Sequence, residues 1–122
     1  MYDANLVLRD GSSDLTSTYT SSALELNGTP VGGLTCRVIY PGGGSGTSPT
    51  CDPKLQESDD GSSWRDLVSF PQRTDAVNAA IHVERFVTAS RYIRAVLTVG
   101  GTTPNFKGVK VEVGFADKFK RN

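Results

Sequence analysis

Short stretches in which apolar and polar residues alternate, bounded by glycine and proline, constrain the fold of this chain more than any other feature. The clearest of them is VKVEVGF, residues 109–115. Successive side chains of a β-strand point to opposite faces, so this stretch presents one apolar face and one mostly charged face. A chain built from such stretches is predicted to fold as strands that each bury one face.

The same alternation occurs over residues 34–40, 81–87 and 91–99. Weaker strand candidates are residues 5–8, 23–26, 54–58 and 67–70. A helix of a turn or two is expected only around residues 74–80. About eight short strands separated by turn residues favour an all-β fold, namely a two-sheet antiparallel sandwich that is jelly-roll-like.

A length of 122 residues fits one domain, so residues 1–122 are predicted to form a single β-sandwich. The apolar faces of the predicted strands and the lone tryptophan supply its core. The side chains expected to be largely buried are Val38, Trp64, Ile93, Leu97, Val109, Val111, Val113 and Phe115.

The segment PGGGSGTSPT, residues 41–50, holds four glycines and few side chains to bury. Such a composition predicts a flexible loop. Cys36 and Cys51 flank this segment, so we expect them to lie close in space. They form either a disulfide or a pair of adjacent free thiols, and their spacing does not match a zinc site.

Groups suited to catalysis are scarce. His82 is the only histidine and lies in a strand-like stretch, so no Ser-His-Asp arrangement is indicated. Glu84 and Glu112 are the one pair of carboxylates that a hydrolase would have on two strands. We therefore predict that the chain is not an enzyme and that it uses no cofactor.

The acidic cluster Glu57, Asp59 and Asp60 stands directly before Gly61. It lacks the spacing of a twelve-residue calcium loop, whereas Asp-Gly is typical of a hairpin turn. This cluster is therefore predicted to connect two strands and to bind no metal.

The overall charge limits the classes of partner. Thirteen basic and thirteen acidic residues give a net charge of zero, which disfavours a nucleic-acid coat or a polybasic membrane binder. No apolar run approaches the length of about 20 residues that a membrane helix needs. The N-terminal residues show no signal peptide, so synthesis in the cytoplasm is expected.

Two segments carry a resemblance to a known family. The first is residues 55–70, LQESDDGSSWRDLVSF, in which a predicted strand is followed by an acidic turn and a tryptophan. The second is residues 90–115, SRYIRAVLTVGGTTPNFKGVKVEVGF, which contains a predicted strand, a GG turn and a final strand. This order resembles the small jelly-roll cement, or decoration, proteins of tailed bacteriophages. The resemblance covers the C-terminal half of the chain well and the N-terminal third loosely.

The resemblance implies a protein on the outer surface of the capsid of a virion. Its partners would be the major capsid protein and other copies of itself, as a dimer or trimer, and it would bridge neighbouring capsid subunits. Since the sheets supply the core, contacts are expected from loops and termini. The candidate contact residues are Tyr2, Phe106, Lys107, Lys118, Lys120 and Arg121.

A second resemblance implies a different function on the same fold. The order S-D-D-G-x-x-W, followed by R-Y-I-R, is also similar to discoidin-like carbohydrate-binding sandwiches. That alternative implies exposed aromatic side chains on a groove or face, for which Tyr2, Tyr19 and Phe106 are the candidates. The two readings share a fold class and differ in what the surface binds.

Overall fold

A computed structural model describes residues 6–25, 34–88 and 90–115. These residues form nine strands and no helix. The strands are β1 (Leu6–Asp10), β2 (Tyr19–Thr20), β3 (Leu24–Glu25), β4 (Leu34–Tyr40), β5 (Ser45–Ser58), β6 (Arg65–Ser69), β7 (Ala80–Phe86), β8 (Tyr92–Asn105) and β9 (Lys110–Phe115).

The strands pair into two antiparallel sheets packed as a sandwich. Sheet 1 has the order β1-β9-β4-β7, and sheet 2 has the order β2-β8-β5-β6, with β3 also paired to β8. Since β2 and β3 follow each other along β8, they act as one interrupted strand, and the chain then has eight. The predicted all-β sandwich is confirmed.

The connectivity identifies the sandwich as a jelly roll. The first strand pairs with the last, β2 and β3 with β8, β4 with β7, and β5 with β6, so the pairs are nested inside one another. Additional pairing of β4 with β9 and of β5 with β8 joins the nested pairs into two sheets. This is one long antiparallel hairpin rolled into two layers.

The core lies between the sheets and contains most of the predicted side chains. Val38, Ile93, Leu97, Val109, Val111 and Val113 are all at most 1% exposed. The side chain of Phe115 lies outside the described part of the chain. Trp64 is a correction, because it is half-buried on the outside of sheet 2, where the Arg94 guanidinium lies 4.2 Å from its ring centroid.

The segment predicted as a flexible loop is largely strand. Residues 45–50 begin β5 and pair with the end of β8, with Thr47 opposite Thr102 and Thr50 opposite Gly100. The glycines before them are held as well, since the Gly43 and Gly44 N–H groups donate to carbonyls of residues 77 and 76 at 2.8 Å. The local composition could not reveal this pairing, because its partner lies far along the chain.

Two local predictions concern turns. Residues 74–80 form no helix, because the Asp75 carboxylate accepts N–H groups of residues 77 and 78 and holds a bend before β7. The predicted turn at Asp59-Asp60-Gly61 is confirmed between β5 and β6. Asp60 accepts two backbone N–H groups, and Gly61 has the positive φ of +80° that glycine tolerates.

Candidate functional site

The edge strand β7 presents the most unusual surface of the described chain. It pairs with β4 over its whole length, from Ala80 opposite Tyr40 to Phe86 opposite Leu34, with no shift in register. It is the last strand of sheet 1, and in the described residues its other edge has no strand beside it. The backbone groups on that edge form no other backbone hydrogen bond there.

The apolar face of β7 points to solvent. His82 and Glu84 lie opposite the core residues Val38 and Cys36, so the even-numbered side chains face inward. The odd-numbered ones face outward, and Ile81 and Val83 are 58% and 49% exposed; Val87, directly after β7, is 74% exposed. We call Ile81, Val83 and Val87 the β7 strip.

Two charged side chains of β7 have no ion pair in the part of the chain that the structure describes. Glu84 is half-buried and Arg85 is exposed, and neither makes an ion pair within residues 6–25, 34–88 and 90–115. The neighbouring charges on the outer face of sheet 1 are satisfied, since Arg37, opposite Val83, pairs with Glu112. Strand β7 therefore combines an open backbone edge, an exposed apolar strip and uncompensated charges.

The other described edges are protected. Strand β1 contains a bulge at Leu8, and β6 contains one at Leu67. Strands β2 and β3 have only two residues each. Bulges and short length are common ways in which sheets prevent an edge from pairing with another chain. Among the described edge strands, β7 alone is long and without a bulge.

The outer face of sheet 2 is polar and internally paired. Arg94 Nε donates to Gln56 Oε1 at 2.9 Å, and Gln56 Nε2 donates to Asp66 Oδ1 at 3.0 Å. Lys54 also forms an ion pair with Asp66, at 3.1 Å. The Trp64 ring stacks against the Arg94 guanidinium. Hydrogen-bonding side chains beside a half-buried aromatic ring are the groups that a sugar-binding face uses.

The predicted contact residues are only partly described. Phe106 is a correction, because it is 2% exposed in the core, where its backbone bridges to Leu15. A side chain packed there is unavailable to a partner. Lys107 is exposed and forms an ion pair with Asp14 at 3.3 Å, so it remains a candidate. The other predicted contacts, Tyr2, Lys118, Lys120 and Arg121, lie outside the described residues.

Tyr19, the remaining aromatic candidate for sugar binding, is part of the sandwich. Its hydroxyl donates to the Leu8 carbonyl at 3.3 Å, and the Arg9 guanidinium lies 5.1 Å from its ring centroid. Its ring is therefore committed to contacts within the chain.

Cys36 and Cys51 are both free thiols, completely buried, on strands of different sheets. Burial raises the pKa of both, that of Cys51 to about 11. Since the thiolate is the reactive form of cysteine, both thiols are unreactive in the folded chain. Their closeness in space stays a prediction.

The two nominated carboxylates cannot act together. Glu84 points into the sandwich on the face of Cys36, whereas Glu112 points outward on the face of Arg37. Within the described residues, no group of three or more metal-binding side chains is assembled. In the same residues, no helix is long and apolar enough to cross a membrane.

One polar cluster was missed by sequence reasoning. Glu57 accepts hydrogen bonds from Thr88, Ser90 and Arg65, so it joins β5 to the start of β6 and to the segment after β7. Burial opposes ionisation of Glu57, yet these hydrogen bonds outweigh it and lower its pKa. Its partners come from a distant segment, which the local turn pattern cannot indicate.

No family model and no curated protein matches this chain. Among solved structures, the chain is similar to the CBM22-1–GH10 modules of the Clostridium thermocellum endo-1,4-β-D-xylanase 10B in complex with xylohexaose. The TM-score is 0.45 at 14% identity, over 99% of this chain and 30% of that one. At this TM-score the likeness assigns no function.

Proposed function

We propose that this chain is a non-catalytic decoration protein that associates with its own copies and binds the outer surface of a phage capsid. The observation that carries the proposal is the open edge strand β7 with its exposed strip Ile81, Val83 and Val87. A long, flat, apolar edge tends to pair with another chain unless something covers it. The sequence resemblance supplies the kind of assembly.

A repeating lattice suits such a surface. Single contacts made by a small domain are weak, but copies that contact each other and the lattice bind through effective concentration. The rigid jelly roll keeps its edges and loops in fixed positions, so one domain can contact two neighbours at once. Lys107, exposed in the turn after β8, is the described candidate for a polar contact with the capsid.

The experiment uses heads of the encoding phage, prepared without this protein. Purified chain is added, and bound protein and heat release of DNA are measured. We expect saturable binding and a higher release temperature. Val83→Lys should weaken binding about tenfold or more, since it places a charge in an apolar contact. Thr98→Lys, at an exposed position of sheet 2, is the matched control and should bind normally.

Absence of binding to heads by the folded wild-type chain contradicts the proposal. Equal loss of binding in both lysine variants would also contradict it, because the effect would then be non-specific charge. Circular dichroism of each variant confirms that the sandwich is intact.

The outer face of sheet 2 favours a second candidate function, carbohydrate binding. Arg94 covers part of the half-buried Trp64 ring, and a sugar would pack on the exposed remainder of that ring, beside Gln56 and Asp66, which donate and accept hydrogen bonds. A glycan array followed by titration tests it. Trp64→Ala should abolish sugar binding and Val83→Lys should not change it, whereas the decoration function predicts the opposite sensitivity.

A further inference from the structure

We infer that the occupant of the open β7 edge is β7 of a second copy, paired antiparallel about a two-fold axis at Val83. The inference rests on the proposed function only in taking β7 as a protein-contact surface. It joins two copies of sheet 1 into one continuous eight-stranded sheet. The two-fold arrangement is closed, so it produces a dimer rather than a fibre.

The backbone of β7 favours a strand as its occupant. The seven residues Ala80–Phe86 carry no proline and no bulge, and their outward edge forms no backbone hydrogen bond in the described chain. Unpaired N–H and C=O groups along a regular edge template another strand. The identical strand of a second copy has the matching length and the matching regularity.

The sequence of β7 selects one register. Val83 is the midpoint of β7, so a two-fold axis there pairs all seven residues with the second copy. Val83 then faces its own equivalent, and His82 faces Glu84 of the second copy. Ile81 lies opposite Arg85 and diagonally beside Val83 of the second copy, so the Ile81 and Val83 side chains of the two copies are neighbours.

Neighbouring registers are worse. Side chains alternate between the two faces of a strand. A two-fold axis that passes through a residue position pairs side chains of the same face, whereas an axis between two residues pairs outward with inward side chains, so the alternative axes are those at neighbouring residues. An axis at Glu84 pairs five residues and sets the Glu84 carboxylates against each other. An axis at His82 also pairs five and sets the two histidines against each other. Of these three axes, only the one at Val83 pairs all seven residues and sets neither the Glu84 carboxylates nor the two histidines against each other; it also places Ile81 opposite Arg85 and Ala80 opposite Phe86 of the second copy.

The other edges explain why the assembly ends at two copies. After β7 is paired, the outer strands of the continuous sheet are the two copies of β1, which contain a bulge. Sheet 2 keeps its bulged β6 and its two-residue strands at the edges. None of these edges offers a long regular template, so growth stops at the dimer.

Cysteine cross-linking of the full-length chain tests the register. The native thiols are buried, so the wild-type chain should give no covalent dimer under mild oxidation. Val83→Cys places two thiols directly opposite each other, within the Cα separation of roughly 7 Å that a disulfide tolerates. In Ile81→Cys the two equivalent positions are about 13 Å apart along the strands. We expect at least about tenfold more covalent dimer from Val83→Cys than from Ile81→Cys.

Sedimentation equilibrium without capsids tests the association itself. The wild-type chain should be a dimer at micromolar concentration, and Val83→Lys should raise the dimer Kd about a hundredfold or more. A wild-type chain that stays monomeric, or equal cross-linking of the two cysteine variants, overturns the inference. Monomeric wild-type chain that still binds heads assigns the edge to a capsid strand: it leaves the capsid-binding part of the proposed function standing and contradicts self-association through β7. A wild-type dimer that binds no head supports the inference about β7 and contradicts the proposed capsid binding.

Discussion

Strands β6 and β7 follow each other in the chain and are edge strands of the two sheets, yet their surfaces differ. Strand β6 has five residues and a bulge, and its charges are paired: Asp66 with Lys54, and Arg65 with Glu57. Strand β7 has seven residues and no bulge, and Glu84 and Arg85 have no ion pair in the described residues.

The contrast fits the proposed role of β7 as a contact strand. Both strands are anchored by a buried phenylalanine, Phe70 directly after β6 and Phe86 at the end of β7. Strand β6 has a bulge and paired charges, whereas within the described residues β7 has an open backbone edge, exposed apolar side chains and no ion pair. An exposed regular edge is a liability for a monomer, so these features favour a strand that another chain covers.

The largest expected effect separates the core from the β7 strip. Leu97→Ala removes a fully buried side chain and should cost about 3 kcal/mol of unfolding free energy, because it leaves a cavity. Ile81→Ala, on the exposed face of β7, should cost under about 0.5 kcal/mol in the monomer. Urea denaturation of both variants in a Val83→Lys background, which is expected to be monomeric, measures the two values. A large cost for Ile81→Ala would mean that β7 buries the opposite face.

The next largest effect on stability concerns the packing of Gly44 against the segment just before β7. A Cβ on Gly44 would lie 2.0 Å from the Asn105 carbonyl oxygen and 2.8 Å from that of Ala76, so Gly44→Ala forces backbone apart. We expect a loss of about 2 kcal/mol in urea denaturation. Gly43→Ala is the matched control: it has open space, and only its φ of +82° opposes a side chain, for about 1 kcal/mol.

If Gly43→Ala were the more damaging of the two, the close approach of Gly44 to residues 76 and 105 would be wrong. Contacts other than those of Gly43 and Gly44 would then hold the residues just before β7 in place.

These residues also show what sequence could and could not predict. The predicted burial of Val109, Val111, Val113 and Leu97 is confirmed, because a sharp alternation of apolar and polar groups is a local signal. The inward face of β7 could not be predicted. Ile81 and Val83 are more apolar than His82 and Glu84, yet pairing with β4 turns them outward.

The misplaced residues have a common cause. Trp64 and Phe106 were assigned from size and loop position, but their environments are set by Arg94 and Leu15, far away in the chain. The strand at residues 45–50 is likewise formed by distant pairing with β8. Local composition carries no information on such partners. The edge position and the outward apolar face of β7 follow from its pairing with β4, which the sequence does not indicate.

A smaller effect compares carboxylates on the two edges. Glu57 has a lowered pKa, so its contribution to stability is present above the usual Glu value of 4.5 and is lost as the pH falls through its folded value. Glu57→Gln should therefore cost about 1 kcal/mol at neutral pH, since it loses hydrogen bonds to a charged group. The difference from wild type should narrow below pH 4.5.

Glu84→Gln on β7 is the control for Glu57→Gln. Glu84 has no ion pair in the described residues, so this change should leave the unfolding free energy of the monomer nearly unaffected at neutral pH. A loss of unfolding free energy at neutral pH in Glu84→Gln equal to that of Glu57→Gln would remove the contrast between the two edge strands.

The smallest effect compares two arginines and uses the only tryptophan as its reporter. The Arg94 guanidinium lies 4.2 Å from the centre of the Trp64 ring, so Arg94→Met should change the fluorescence of Trp64 and cost about 0.5–1 kcal/mol. Arg85→Met removes an exposed charge on β7 that has no ion pair in the described chain, so neither fluorescence nor monomer stability should change. Equal spectral changes in both variants would mean that the arginine of β7 is coupled to sheet 2. The open edge would then be part of the paired surface rather than separate from it.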